Sequence, residues 1–177
     1  MLTQEYKMKV KDLYGKSNIV LTDTELASID YADFGLNNIE EEGLNLILYV
    51  NNARYCAKEM VLLPNQTCPE HVHPDLQGRE GKQETFRCRW GKVYLYTDEP
   101  TDVEKHQVLP PQQSCDYYTA KKEIVLEAGE QYTIDPRIKH WFKAGPEGAV
   151  ISEFSSPSFD EYDVFTNPNI KRDIRDR

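Results

Sequence analysis

The chain has 177 residues, 39% of them apolar and 29% charged, with a formal net charge of −9 at pH 7. Such totals suit one globular domain with a single substantial core and exclude an intrinsically disordered chain. The acidic balance, with no concentrated basic face, excludes nucleic acid as a partner, and no apolar run approaches the length of a membrane span.

The opening stretch, MLTQEYKMKVKDLYGKSN, has no apolar signal segment. Leu2, Tyr6, Val10, Leu13 and Tyr14 recur at helical spacing, which predicts a first helix ended by Gly15. TDTE then offers a capping box, Thr22 as N-cap and Glu25 three positions on, and predicts a second short helix through Leu26 and Ile29. NNIEEEG reads as an acidic turn.

From Leu44 the texture changes to short runs rich in Val, Ile, Tyr and Phe: LNLILYVNN, YCAKEMVLLP, TFRCRW, KVYLYT, KKEIVLEA, QYTI, HWFKA and AVISEFS. About eight strands separated by turn residues predict an all-β sandwich or barrel. RWGKV and EAGEQ read as hairpin turns around Gly91 and Gly129. EPTDVEKHQVLPPQQSCD reads as a surface excursion, with His106 a solvated side chain, and FTNPNIKRDIRDR as a polar tail, loosely held or serving as a contact arm. The expected organisation is a helical segment at 1–43 packed on a barrel at 44–166, then a tail at 167–177. Cys56, Cys68, Cys88 and Cys115 form no CxxC pair and read as reduced, mostly buried thiols, so a cytoplasmic address is expected.

The residues that carry chemistry begin at EHVHPDLQGREGKQETF, residues 70–86. Side chains at i and i+2 of a strand share a face, so His71 and His73 project side by side, as two ligands on one cation must. Glu84 opens the next strand-like run, and His140 follows much later in DPRIKHWF, after a turn set by Pro136. Three imidazoles and a carboxylate form a mixed nitrogen and oxygen donor set, suited to Mn, Fe, Co, Ni or Zn rather than Ca. An HxH pair alone fits an exposed polar strand equally well.

Gly91 stands seven residues after Glu84, and Gly129, Pro136 and His140 follow in order. This series resembles the two signature motifs of the cupin superfamily, which implies a mainly β, single-domain antiparallel barrel of jelly-roll type with a metal in its mouth. One departure is distinctive: ten residues, PDLQGREGKQ, separate the second histidine from the glutamate, where ordinary cupins have three or four. With that insertion, TCPEHVHPDLQGREGKQETFRCRWGKVYLY resembles the small D-lyxose isomerases of bacilli. So do the approach NNARYCAKEMVLLPNQTCPEH and the late segment YTIDPRIKHWFKAGPEGAVISEFSS. The likeness runs from about Ile19 to Asn167. It implies a manganese-dependent aldose–ketose isomerase interconverting D-lyxose and D-xylulose, with D-mannose and D-fructose as a related pair. It also implies His71, His73, Glu84 and His140 as ligands, with Co, Ni, Zn or Fe as other ions the set accepts.

Such a reaction needs a general base and a group that offsets developing oxyanion charge. Glu153, in VISEFSS, is the candidate base, and Lys82, on the same strand face as Glu84, the candidate partner, with Glu70 and Lys58 in reserve. Phe86, Trp90, Tyr94, Tyr132, Trp141 and Phe142 read mainly as core, some of them lining the barrel. Two rival readings fit the cage: a non-haem iron dioxygenase and a non-catalytic sugar-binding barrel. The expected partners are a small sugar and a second copy of the chain, since open sheet edges and apolar outer faces favour a homodimer.

Overall fold

The computed structural model describes residues 2–102 and 106–171. Helix α1, Gln4–Lys16, begins at Thr3, whose Oγ1 accepts the Tyr6 N–H at 3.1 Å. Its apolar stripe of Tyr6, Val10, Leu13 and Tyr14 is buried against Ile47, Val61, Leu63 and Val150 on the outside of the sheet. Gly15 does not end this helix, contrary to expectation. The chain runs on to Lys16, and Asn18 takes the left-handed exit conformation with φ 59°. Helix α2, Asp23–Ala27, carries the complete capping box of Thr22 and Glu25. Ile29 falls beyond it but joins the same buried cluster.

Nine strands follow among the described residues: β1 Asp30–Ala32, β2 Leu44–Asn51, β3 Cys56–Leu62, β4 Thr67–Val72, β5 Glu84–Thr97, β6 Lys122–Glu127, β7 Gln131–Ile134, β8 His140–Ser155 and β9 Val164–Phe165. All pair antiparallel. β5 and β8 pair along nearly their whole length and bend together, so that they belong to two facing layers. The later half of β8 pairs with β3, in the layer of β1 and β2, whereas its first half pairs with β4, beside β9. The two layers share one core, drawn from Leu46, Met60, Leu62, Phe86, Val93, Leu95, Phe142 and Ile151 among others. This is the mainly β, cupin-like architecture expected, a half-barrel with the helical segment outside.

Neither predicted hairpin exists. Gly91 and Gly129 both have positive φ, +74° and +96°, but each kinks a chain that continues in one direction. TFRCRW and KVYLYT are a single strand, β5, as are HWFKA and AVISEFS in β8. β6 and β7 run one after the other along β5, with Gly129 N–H donating to the Cys88 carbonyl between them. The irregularity at Gly91 and the one facing it in β8, between Ala144 and Ala149, also reverse the side-chain alternation. In β5 the core-facing positions pass from Phe86 and Cys88 to Val93 and Leu95, and in β8 from Phe142 and Ala144 to Ala149 and Ile151.

The excursion after β5 carries no strand among its described residues. Its 3-10 turn, Gln112–Tyr117, is pinned by Glu42, whose carboxylate accepts Ser114 Oγ and Tyr118 Oη, both at 2.7 Å. At the end of the acidic turn, Glu42 is therefore buried. His106 is also less free than expected, with Nε2 3.1 Å from the Lys121 carbonyl and its ring 4.9 Å from that of Tyr96. The expected loose tail is bound at its start. Phe165 pairs with His71, Thr166 N–H donates to the Glu70 carbonyl, and Lys171 N–H donates to that of Phe34. Residues 172–177 lie outside the described residues.

The bend makes one strong demand. A Cβ on Gly91 would stand 2.1 Å from the carbonyl oxygen of Gly148, which itself has φ +90°. Gly91→Ala is expected to cost about 2 kcal/mol or more. Calorimetry should show the thermal midpoint several degrees lower; a midpoint unchanged within a degree would mean that the bend tolerates a side chain.

Candidate metal centre

β4 carries His71 inward and ends at Val72, with His73 just beyond it; both side chains are buried. The inserted residues then turn back through Gln77 and Gly78, both at positive φ as a type I′ turn requires, with Leu76 and Arg79 exchanging backbone hydrogen bonds. Asp75 clips the loop. Its carboxylate accepts the Gly81 N–H at 3.0 Å and a two-pronged contact from Arg137 at 2.9 to 3.1 Å. Gly81 passes so close to His73 that a Cβ there would meet the His73 carbonyl oxygen at 2.2 Å. The loop therefore returns beside the strand it left, and ten inserted residues do not displace Glu84. His140 opens β8 as the register partner of His71.

The three imidazole rings lie 4.4 to 5.4 Å apart, and one ring nitrogen from each lies within 4.8 Å of the other two. Each Nδ1 already has an acceptor: the Pro69 carbonyl for His71 at 2.8 Å, the Ile138 carbonyl for His140 at 3.0 Å, and Asp163 Oδ1 for His73 at 2.6 Å. A proton on Nδ1 leaves the Nε2 lone pair bare. Glu84 Oε1 stands 2.9 Å from His140 Nε2 and 3.2 Å from His73 Nε2. The His140 contact has no hydrogen-bond geometry, so this buried nitrogen has no donor or acceptor among the described residues. Lone pairs of nitrogen and oxygen thus converge on one point, an arrangement that a cation resolves.

Charge adds to the case. Lys82 Nζ lies 2.6 Å from Glu84 Oε2, 3.1 Å from Glu153 Oε1 and 3.9 Å from Asp160 Oδ1. Lys58 Nζ lies 2.7 Å from Asp160 Oδ2 and 3.7 Å from Glu153 Oε1. With Asp163, four carboxylates face two ammonium groups in one buried compartment. With all three imidazoles neutral, as ligation requires, two negative charges stay uncompensated, which one divalent cation balances. Without an ion, burial and Lys82 act downward on the His73 imidazole, but Glu84 and Asp163 outweigh them and raise its pKa. Burial holds the His71 imidazole well below its ordinary pKa, and the neighbouring His140 and His73 add to this. Burial alone would raise the Glu84 carboxyl, but Lys82 and then His73 override it and hold it well below the usual range. For Lys82, burial acts downward and is outweighed by Glu153, Glu84 and Asp160, which keep the ammonium well above its usual pKa.

His71, His73, Glu84, Lys82 and Glu153 all line one cavity, together with Lys58, Asp160 and Asp163. His140 abuts it through His71 and Glu84. Phe86 and Phe142 supply part of its apolar lining, whereas Trp141 stacks on Tyr96 outside it. Glu70 does not reach the cavity. It precedes His71 and so points to the other face, where its carboxylate accepts from Thr119 N, Thr119 Oγ1, Ala120 N and Thr166 Oγ1 at 2.6 to 2.9 Å. Asp160, Asp163 and Ser158, whose Oγ accepts from Lys58 Nζ at 3.1 Å, were not anticipated. They arrive on the chain after β8, and only tertiary register reveals that.

A family description, D-lyxose isomerase, matches residues 16–174. The chain is 52% identical over 169 residues to D-lyxose ketol-isomerase of Cohnella laeviribosi, covering 96% of this chain and 92% of that protein. It is 56% identical over 169 residues to D-lyxose/D-mannose isomerase of Thermosediminibacter oceani, covering 96% and 93%. Among solved structures, L-ribose isomerase of Acinetobacter sp. DL28 in complex with L-ribose matches with a TM-score of 0.73 at 16% identity, covering 94% of this chain and 91% of that one. At that identity the likeness concerns the fold.

Proposed function

The chain belongs to the D-lyxose isomerase family, and on that premise we propose that it interconverts D-lyxose and D-xylulose by proton transfer, with D-mannose and D-fructose as a second pair. The names of the two relatives support this choice of sugars. The observation that carries the chemistry is the buried donor cluster beside a lysine-bridged carboxylate pair. His71, His73, Glu84 and His140 would hold the ion, and manganese is the assignment, with other divalent transition metals accepted by the same donors. When bound, a divalent cation acidifies the proton beside the carbonyl and spreads the charge that develops on the sugar oxygens.

The remaining work falls to the chain's own side chains. Glu153 takes the proton from C2 and returns it to C1, while the hydroxyl hydrogen leaves O2 and O1 gains one, through a cis-enediol. Lys82 touches both Glu84 and Glu153, and so sits where it can donate to the oxygen that gains charge. Lys58, itself held by Asp160, approaches Glu153 from the other side. Phe34, Phe86 and Phe165 restrict water on the apolar side of the cavity.

The proposal extends to a homodimer in the cytoplasm. Tyr49, Tyr55 and Phe154 are exposed on or beside the neighbouring strands β2, β3 and β8, an apolar area that a second copy would cover. Cys56, Cys68 and Cys88 are buried free thiols, as suits a reducing compartment. Among the described residues no helix is long and apolar enough to cross a membrane. Light scattering should return twice the chain mass of 20.6 kDa; the monomer mass at micromolar concentration would rule the dimer out.

Chelator-stripped protein supplied with Mn²⁺ is expected to convert D-lyxose to D-xylulose without consuming oxygen. In deuterium oxide the product should carry deuterium at C1 wherever Glu153 exchanges with solvent. Glu153→Gln should lower kcat by at least about a hundredfold with Mn²⁺ binding retained. Near-normal turnover in that variant would exclude Glu153 as the base.

A further inference from the structure

Three imidazoles face the candidate centre, but they are not held alike. His71 and His140 each donate Nδ1–H to the carbonyl two residues earlier on their own chain, Pro69 and Ile138. These contacts are local. His73 stands past the end of β4 and makes no such contact; its Nδ1 lies 2.6 Å from Asp163 Oδ1, ninety positions away in the chain.

The register explains how Asp163 gets there. β9 pairs with β4 so that His71 faces Phe165 and Val72 faces Val164. Antiparallel continuation sets Asp163 opposite His73. On its other side the segment is fixed by the 3-10 turn Asp160–Tyr162, where Asp160 and Ser158 both bind the buried Lys58 ammonium. The Asp163 side chain is itself only 4% exposed. A carboxylate held from both sides, behind a ligand that has no local support, both aims the ring and makes its free nitrogen a better donor.

We propose that Asp163 is a positioning residue: acting through His73, its carboxylate sets the affinity of the centre for a divalent cation. The inference rests on the metal reading above and deepens it. No part of it requires Asp163 to touch the ion or the sugar.

The test measures Mn²⁺ affinity by calorimetry on chelator-stripped wild type, Asp163→Ala, Asp163→Asn and Tyr162→Ala, with the thermal midpoint of each metal-free protein as a fold control. Asp163→Ala is expected to bind about 10- to 100-fold more weakly. Asp163→Asn keeps an oxygen that accepts Nδ1–H but loses the charge, and should fall between the two. Tyr162 is 53% exposed on the same turn, so its truncation should leave affinity within about twofold of wild type if the effect belongs to the carboxylate. Should Asp163→Ala fail to fold, Asp163→Asn decides: a loss of about threefold or more supports the role, and unchanged affinity overturns it. Equal affinity of Asp163→Ala and wild type overturns the inference alone, as does a Tyr162→Ala loss as large as that of Asp163→Ala. A wild type that binds no divalent ion overturns the metal reading, and this inference with it.

Discussion

Four carboxylates and two lysine ammonium groups share one buried end of the half-barrel, and their charges do not cancel. Taking any one of them out of water costs several kcal/mol unless partners make up the loss. Lys82 and Lys58 do part of this by lying between carboxylates: Lys82 between Glu84 and Glu153, Lys58 between Asp160 and Glu153. The remainder sits where three imidazole lone pairs and Glu84 converge. A divalent cation there completes a neutral compartment, which links holding the ion to holding the fold. The same surplus charge leaves the Glu153 carboxylate and the Lys82 ammonium in contact on one cavity wall beside the imidazoles.

The architecture serves that compartment through two bent strands. β8 brings His140 at its first residue and Glu153 near its last, thirteen positions apart. In a regular strand an odd separation puts two side chains on opposite faces. The extra residues between Ala144 and Ala149 reverse the alternation, so both side chains point inward. β5 makes the matching change at Gly91, against the backbone of Gly148. The bend that closes the two layers over one core also brings the Glu153 carboxylate near the imidazole cluster.

Much of this was legible in the residues. The period of two in EHVH foretold that His71 and His73 share a face, and the capping box at Thr22 placed α2. Glycine was a poorer guide. Gly91 and Gly129 signal positive φ, which hairpins and bulges both use, and only the pairing of β5 with β6, β7 and β8 decides between them. Glu70 could have been set aside at once, since the alternation that joins His71 to His73 turns their neighbour the other way. Asp160 and Asp163 carried no local signal. They sit in an acidic run, SFDEYD, that looks like any solvated turn, and they gain meaning only from the register of β9 on β4 and from the Lys58 ammonium. Side chains placed by secondary-structure period are visible in a sequence; those placed by long-range register are not.

The most direct measurement is anomalous diffraction at the manganese edge from crystals of the full chain grown with Mn²⁺. One strong peak per chain is expected, in contact with the Nε2 atoms of His71, His73 and His140 and a carboxylate oxygen of Glu84. A chain that shows no peak there, or whose manganese sits away from these four side chains, would contradict the assignment of this compartment as the metal centre.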